Sequence, residues 1–262
     1  MITLAALYHY PLKSGRARAL TRAAISPAGL EHDRHWMVAD ADGRFITGRE
    51  CPQLVLVDAT PAADGIRFAA PGMPPLQVSR QGMTVAQGSE VWGTTFTAWQ
   101  GAAHANAWFS EYLQRDVRLL WIGAAPARRV RHEAGIPLGF ADGYPLLIIS
   151  QAALKTLNAD IGRPLPMLRF RPNLVLAGCE PHAEDHWQRI RIGTLEIELV
   201  KLCTRCVFTT IDPDTALKDP EQQPLRTLAK TRRQDKDVIF GMNALTRSSG
   251  ELQIGMPVEI LA

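Results

Sequence analysis

The sequence lacks any apolar run long enough to cross a membrane. Its longest runs, such as PLLII at 145–149, have the length of a strand, whereas a membrane helix needs roughly 18 to 20 apolar residues in succession. The N-terminus, MITLAALYHYPLKSG, also lacks the basic flank and the cleavage site of a secretory signal. With 46% apolar and 21% charged residues the composition is that of a soluble globular protein, so we expect a cytoplasmic protein that does not bind a membrane.

The sequence also carries little net charge, with a formal value of +3 at pH 7. A general nucleic-acid binder usually has a concentrated basic face and a domain pI above about 9, so we do not expect nucleic acid as a partner. The arginines nevertheless cluster in RPLPMLRFRP and in ARRVRH. Such local groups of guanidinium ions are better suited to a small anion.

Cysteine is scarce, with four residues in a chain of 262. In a cytosolic protein of this length, so few cysteines are more typical of buried thiols, metal ligands or catalytic groups than of a disulfide framework. The four are Cys51, Cys179, Cys203 and Cys206.

The order of strand and helix signals predicts a mainly β protein of the α+β class. Short apolar or alternating segments separated by turns fill the first hundred residues or so. A helix is predicted over 102–114, and a boundary near its end divides the chain into an N-terminal β module, 1–115, and a second β-rich domain with packed helices, 116–262. In the second domain a helix is predicted to begin at the N-cap Ser150 and to end at Gly162.

Two short segments with β-branched residues are also predicted as strands, RFITG at 44–48 and VFTTI at 207–211. Between the two β-rich parts, 124–144 is long, irregular and rich in arginine. Loops of that length inside compact domains are usually functional or disordered. The loop ends in FADGYP, where Asp142 is predicted either to shape a tight turn or, near a redox centre, to relay protons.

The segment VKLCTRCVFTTIDPDT places Cys203 and Cys206 three residues apart after an apolar run. A redox pair of the thioredoxin type needs its first cysteine at a helix N-terminus, but this pair follows a predicted strand. A zinc site could be drawn with His182 and His186, which lie four residues apart in HAEDH. Two buried apolar thiols are a third interpretation, and the motif alone leaves all three open.

The segment HYPLKSG offers an ammonium group, a hydroxyl and turn N–H groups directly after a predicted strand. These come from Lys13 and Ser14, and together they are what a phosphate or another oxyanion requires. In GLEHDRHW, Arg34 lies where the next strand begins. Each segment on its own is more typical of an ordinary solvated turn or strand end than of an anion site.

The segment RFRPNLVL presents a guanidinium group and a carboxamide together. Pro172 excludes right-handed helical geometry at Arg171, and Asn173 begins an apolar strand. Such a pair can hold a phosphate and the edge of a heterocycle. A polar strand entry that bonds to its own backbone is the alternative.

Taken in order, seven motifs resemble the MOSC family of molybdenum-cofactor proteins: YPLKS, DRHW, ITGR, ADGYP, FRPN, EDHW and CTRCVFTTIDPDT. The likeness spans about residues 2–261, and within the family it is greatest to the amidoxime-reducing components and to bacterial reductases of N-hydroxylated bases. The resemblance implies an N-terminal β-barrel-like module, a MOSC β-barrel, and a molybdenum–molybdopterin cofactor of the sulfite-oxidase type between them.

The resemblance also assigns roles to individual residues. Cys206, the second cysteine of CTRC, would be the molybdenum ligand and a catalytic residue, since a soft thiolate suits a metal that already bears dithiolene sulfurs. Asp142 would be a second catalytic residue. The implied cofactor contacts are Lys13, Ser14, Arg34, Thr47, Arg49, Ser150, Arg171, Asn173, Thr204, Arg205 and Cys206.

The activity that the resemblance implies is two-electron reduction of the N–O bond in hydroxylamines, amidoximes or N-hydroxylated bases, with release of water. A cofactor carrier or a sulfur-transfer protein on the same scaffold is the alternative. Some bacterial relatives continue into a ferredoxin-like domain, whereas this sequence stops at PVEILA, and its four cysteines provide no four-cysteine iron–sulfur site beside the metal ligand. The expected electron donor is therefore a separate ferredoxin or flavoprotein.

Overall fold

The computed structural model describes residues 1–133 and 135–262, which form many short strands and few helices. None of the described helices is both long enough and apolar enough to span a membrane. The α-helices are α1 Ala103–Leu113, α2 Gln151–Ile161 and α3 Leu225–Thr231, and 3₁₀ helices cover Pro52–Leu56, Arg80–Gly82, Met167–Phe170, Ala183–His186 and Val207–Thr210. The strands are β1 Thr3–His9, β2 Arg18–Leu20, β3 Arg22–Ser26, β4 Gly29–Leu30, β5 Trp36–Ala39, β6 Asp58–Ala62, β7 Gly65–Ala69, β8 Leu76–Ser79, β9 Val85–Val91, β10 Thr94–Gln100, β11 Arg118–Trp121, β12 Arg129–Val130, β13 Glu133–Pro137, β14 Leu146–Ser150, β15 Leu174–Ala177, β16 Arg189–Ile192, β17 Leu195–Thr204, β18 Arg233–Gln234, β19 Asp237–Leu245, β20 Gly250–Gln253 and β21 Val258–Ile260.

The largest sheet takes strands from both ends of the chain, in the order β2-β1-β15-β14-β19-β17-β16-β21, with β18 also paired to β19. Strands β14 and β15 pair in parallel, as expected for strands that a helix, α2, connects. The start of the chain also contacts the region of β21, because the N–H of Leu4 donates to the carbonyl of Met256 at 2.9 Å and that of Val258 to the carbonyl of Ile2 at 3.0 Å. The first strand is thus built into the sheet of the C-terminal half, and the boundary near residue 115 stays a prediction.

The N-terminal half forms smaller antiparallel sheets around its own core. One has the order β5-β11-β10-β9 and another β6-β7-β8. Between them lie Trp36, Phe68 and Phe109, whose rings meet edge to face with centroids 6.1 Å and 5.1 Å apart. Edge-to-face contacts of this kind add stability beyond the area they bury, so they fix α1, which carries Phe109, against the sheets.

The α+β class is confirmed, as are the two predicted helices. The hydroxyl of Ser150 accepts the N–H of Ala153 at 3.2 Å and so caps α2, and Gly162 ends that helix with a left-handed φ of 82°. The prediction of strands at 44–48 and 207–211 was wrong, since the first segment makes only isolated bridges and most of the second is a 3₁₀ helix.

The threonines of the second segment explain that difference. The hydroxyls of Thr209 and Thr210 donate to the carbonyls of Cys206 and Val207, at 3.0 Å and 2.7 Å. Such local bonds from side chain to backbone compete with the ladder of a strand. A segment with strong β propensity therefore turns here instead of extending.

The EDHW motif has a structural role in this fold. Its first residue, Glu184, is fully buried against the start of α2, and Oε1 accepts the N–H of Ser150 at 2.8 Å. Its Oε2 has no hydrogen-bond partner among the described residues. Burial raises the pKa of this carboxyl, although the bond from Ser150 opposes the shift.

Replacing Glu184 with Gln should therefore flatten the dependence of stability on pH. An acid whose pKa is raised by folding contributes its stability below the unfolded pKa of about 4.3, and that contribution is lost as the pH rises through the folded pKa. The free energy of unfolding of Glu184→Gln, relative to the wild type, should accordingly rise between about pH 4 and pH 8 in denaturant titrations. The control is Glu180→Gln, because Glu180 is an exposed neighbour in the sequence. If the free energy of unfolding of both variants differed from that of the wild type by the same amount at every pH, the raised pKa of Glu184 would be contradicted.

Candidate functional site

A cleft of about 910 Å³, its open mouth included, lies between the large sheet and the loops of the N-terminal half. One predicted site residue lies outside it, Ser150, which is fully buried and caps α2. The cleft brings together all the other predicted site residues: Lys13, Ser14, Arg34, Thr47, Arg49, Asp142, Arg171, Asn173, Thr204, Arg205 and Cys206.

Two guanidinium groups lie over one tyrosine ring in the wall of this cleft. The Cζ atoms of Arg34 and Arg171 are 4.3 Å and 4.0 Å from the ring centroid of Tyr10. Tyr10 is fully buried, and its hydroxyl donates to the carbonyl of Pro172 at 3.0 Å. The negative face of the ring attracts both cations, so Tyr10 holds two like charges close together. Sequence reasoning missed this residue.

The two cations also repel each other. Desolvation, together with the charge of Arg34, lowers the pKa of Arg171 to about 10. The Nη1 of Arg171 donates to the carbonyl of Gly15 at 2.6 Å, whereas its buried Nη2 has no partner among the described residues. An anion beside these groups would relieve the repulsion and accept the free N–H, so this part of the cleft is suited to a phosphate.

Asn173 lines the cleft, but its amide bonds to the fold and positions Arg34. Its side chain is 1% exposed, and Oδ1 accepts from Arg34 Nη1 at 3.1 Å and from the N–H of Leu147 at 3.2 Å. Its Nδ2 donates to the carbonyl of Tyr8 at 3.1 Å. The amide is thus largely engaged by the fold, and a direct contact between Asn173 and a cofactor stays a prediction.

Lys13 and Asp142 form an ion pair at the mouth. The Nζ of Lys13 lies 2.5 Å from Oδ1 of Asp142 and donates to the carbonyl of Phe140 at 2.8 Å; the two side chains are 6% and 72% exposed. Burial lowers the pKa of Lys13, although Asp142 opposes the shift. Desolvation acts to raise the pKa of Asp142, but the charge and hydrogen bond of Lys13 outweigh it and hold the pKa well below its ordinary value. Asp142 is therefore a carboxylate at neutral pH.

Arg128, which the sequence showed only as one member of a cluster, holds the loop that carries Asp142. It is 4% exposed, donates to the carbonyls of Gly139 and Asp142 at 3.0 Å and 2.8 Å, and also bonds to the carbonyl of Ala141. Burial lowers its pKa to about 10. The prediction that 124–144 is irregular throughout was wrong, because β12 and β13 pair within it. Arg128, directly before this hairpin, gathers several carbonyl groups of the turn that follows it.

The two thiols of CTRC have unequal surroundings. Cys206 is exposed on the cleft at the start of the 3₁₀ helix, whereas Cys203 is half-buried and packs against the core around Phe170. Arg205 separates them, with Nη1 donating to Cys203 Sγ at 2.8 Å and Nη2 to the carbonyl of Phe170 at 2.6 Å. Both cysteines line the cleft, and Cys206 is the more exposed of the two thiols.

The zinc interpretation has no support in the described part of the chain, where no group of at least three His, Cys, Asp or Glu side chains could hold a metal ion. A metal bound at Cys206 would need its other ligands from a cofactor.

Arg169 is another residue that sequence reasoning missed. It stabilises the segment that follows Cys206 by donating to the carbonyl of Thr210 at 2.8 Å and to Asp212 at 3.1 Å.

The close approach of Gly48 to Phe208 fixes the loop from the other side. A Cβ atom at position 48 would lie 2.3 Å from Cε2 of Phe208, whose ring centroid is 5.5 Å from Arg171 Cζ. Gly48→Ala should therefore push the ring aside, lower the melting temperature by roughly 2 to 12 °C, as for an overpacked core in a chain of this size, and change the alkylation rate of Cys206. The control is Gly143→Ala, because Gly143 lines the cleft but has open space beside it. If both variants changed the melting temperature and the alkylation rate equally, the contact of Gly48 with Phe208 would not be the cause.

Comparison with known proteins identifies the family. Residues 1–116 match the MOSC N-terminal beta barrel domain and residues 136–259 match the MOSC domain. Mitochondrial amidoxime reducing component 2 of Bos taurus is 31% identical over 98% of this chain and 82% of its own, and mitochondrial amidoxime-reducing component 1 of Homo sapiens is 30% identical over 99% of this chain and 83% of its own. A solved structure, the YUAD protein from Bacillus subtilis, aligns over 99% of this chain and 95% of its own with 13% identity and a TM-score of 0.47. Because both domain matches and relatives at this identity extend along nearly the whole sequence, the chain belongs to the MOSC family.

Proposed function

We propose that this protein is a molybdenum-cofactor-dependent oxidoreductase that reduces N-hydroxylated compounds such as hydroxylamines, amidoximes and N-hydroxylated bases. One observation carries the proposal: a single cleft holds the accessible thiol of Cys206 and the guanidinium groups of Arg171 and Arg205, which keep N–H donors that no described residue accepts. Relatives named as amidoxime-reducing components support the same reaction for this chain.

The residues of the cleft fit an anionic cofactor. Among the described residues, buried N–H groups without a partner occur on five arginines, and three of these line the cleft: Arg169, Arg171 and Arg205. Buried charged donors without acceptors cost free energy, and phosphate or pterin acceptors would recover it. Cys206 would be the protein's ligand to the metal, since a thiolate is a soft ligand.

When bound, such a cofactor supplies two-electron redox chemistry. In the overall reaction the N–O bond breaks, two electrons and two protons are taken up, an N–H bond forms and the hydroxyl oxygen leaves as water. We assign proton handling to Asp142 and Lys13. Asp142 is ionised, and its lowered pKa makes it a weak proton acceptor, so it would hold and orient the ammonium of Lys13. That ammonium, whose pKa burial lowers, would be the proton donor of the pair.

Reduction of benzamidoxime tests the proposal. The protein is produced in a host that makes the molybdenum cofactor and is assayed with an artificial low-potential electron donor. We expect benzamidine to form, and we expect none from protein made in a cofactor-deficient host. Bound cofactor without any reduction would favour a cofactor carrier or a sulfur-transfer protein on the same scaffold.

We further propose that the electrons come from a separate ferredoxin or flavoprotein, and that both proteins are cytoplasmic. Cys51 is buried in the N-terminal core and Cys179 packs near the large sheet, so neither joins the cleft cysteines to make a four-cysteine cluster site. Robust turnover of the purified, cofactor-loaded chain with NADH or NADPH alone would contradict this proposal.

A further inference from the structure

The hairpin formed by β9 and β10 ends in a two-residue turn that begins with a tryptophan. Val91 and Thr94 are its last paired residues, which leaves Trp92 and Gly93 in the turn. Both have positive φ, 53° and 76°, the pattern of a type I′ turn, for which Asn-Gly is a preferred pair. A bulky residue at positive φ is a conformational outlier, and such outliers concentrate at functional sites.

The turn places the indole ring at the mouth of the cleft. Trp92 is 47% exposed, and its ring centroid lies 4.4 Å from Cζ of Arg49, which lines the cleft. On another side the Phe45 ring is 5.1 Å away, and Phe45 in turn lies 5.2 Å from the ammonium of Lys13. Trp92 thus lies between solvent and the cations Arg49 and Lys13 of the cleft, which it contacts directly and through Phe45.

The cation under the indole lines the same cleft as Asp142. Arg49 and Asp142 both belong to the wall of the cleft, and the Arg49 guanidinium lies 4.4 Å from the centroid of the Trp92 ring. The indole therefore lies at the side of the cleft that carries these two charged groups. A residue in this position is close enough to touch a substrate whose nitrogen has entered the cleft.

We infer that Trp92 sets substrate specificity at the cleft mouth, favouring N-hydroxylated compounds whose reacting group is attached to a flat aromatic or heteroaromatic ring. The inference rests on the proposed function. Because the N–OH group must enter the cleft, the attached ring stays toward the mouth, where the half-exposed indole lies. A flat ring gains an aromatic contact there, whereas a short aliphatic substituent gains little.

The turn itself supplies a variant that separates specificity from folding. Trp92→Asn removes the ring and introduces the Asn-Gly pair that a type I′ turn favours, so the melting temperature of this variant should be no lower than that of the wild type. The ratio of kcat/KM for benzamidoxime over acetamidoxime should fall about fivefold, the loss expected for one aromatic contact. Trp92→Phe should retain most of the ratio. Trp99 is 36% exposed and lies further along the same hairpin, so Trp99→Leu is the matched control and should leave the ratio unchanged.

A binding measurement decides the inference even without turnover. The cofactor-loaded protein is labelled with 5-fluorotryptophan, and the ¹⁹F signal of Trp92 is identified by its loss in Trp92→Asn. Benzamidoxime should shift that signal and acetamidoxime should not. If the wild type reduces neither compound, the proposed function fails, and the ¹⁹F titration alone tests the inference. An unchanged kcat/KM ratio in Trp92→Asn, or a Trp92 signal that benzamidoxime leaves in place, would overturn it.

Discussion

Replacing Cys206 with Ser should abolish both molybdenum retention and amidoxime reduction, whereas Cys203→Ser should leave each within about threefold of the wild type. Even partners that only orient metal ligands change metal affinity by 10- to 100-fold, so loss of the ligand itself should exceed about 100-fold. Cys206 is the exposed thiol on the cleft. Cys203 is half-buried, and its contact with Arg205 is one that a serine hydroxyl can also accept.

Elemental analysis, the visible spectrum of the bound metal and the benzamidoxime assay measure this difference together. Cys203→Ser serves as the internal control because it changes the same atom in the same loop. Equal losses of metal and activity in both variants would contradict the assignment of Cys206 as the ligand. Loss from Cys203→Ser alone would reverse it.

Replacing Arg171 with Gln should lower the pterin content of the purified protein at least about tenfold, with little loss of stability in the cofactor-free chain. The Nη2 of Arg171 has no partner among the described residues, and Arg34 repels its charge. Its Nη1 does donate to the carbonyl of Gly15 at 2.6 Å, but relief of the repulsion from Arg34 and of the desolvation of the guanidinium group offsets part of the loss of that bond. The variant therefore weakens ligand binding more than folding.

Pterin content is read from fluorescence after oxidation, and stability from the melting temperature of cofactor-free protein. Arg171→Lys keeps the charge but loses the planar fork that binds phosphate through two N–H groups, so it should retain an intermediate amount of pterin. Arg118 lies on β11 and pairs with Asp116, so Arg118→Gln is a control that should bind normally. A destabilised Arg171→Gln variant with wild-type pterin content would contradict a ligand role.

Much of the fold could be predicted from local signals. The helix after Ser150 could be found because its N-cap and the glycine at its end act within a few residues. The strand predicted at 207–211 failed because Thr209 and Thr210 bond to nearby carbonyls, a competition that propensity does not show. Likewise, no local pattern indicates that β1 pairs with β15, since that pairing depends on contacts across most of the chain.

The candidate site divides in the same way. The ordered motifs supplied cations and a thiol that the structure brings into one cleft. The residues that hold them in place were missed, because Tyr10 acts on Arg171 and Arg128 acts on the Asp142 loop through contacts distant in sequence. For Ser150 the local signal was right and the family resemblance was not matched by its position. Ser150 caps α2 as predicted, but it does not line the cleft that holds the other predicted cofactor contacts.

The most direct test of the account is the molybdenum, zinc and pterin content of the protein purified from a host that makes the molybdenum cofactor. Cys206 offers an accessible thiol, and Arg171 and Arg205 offer cationic N–H donors without a partner in the part of the chain that the structure describes. Near-stoichiometric molybdenum together with an oxidisable pterin, and only traces of zinc, is the predicted result. Stoichiometric zinc without pterin, or molybdenum that Cys206→Ser retains in full, would contradict it.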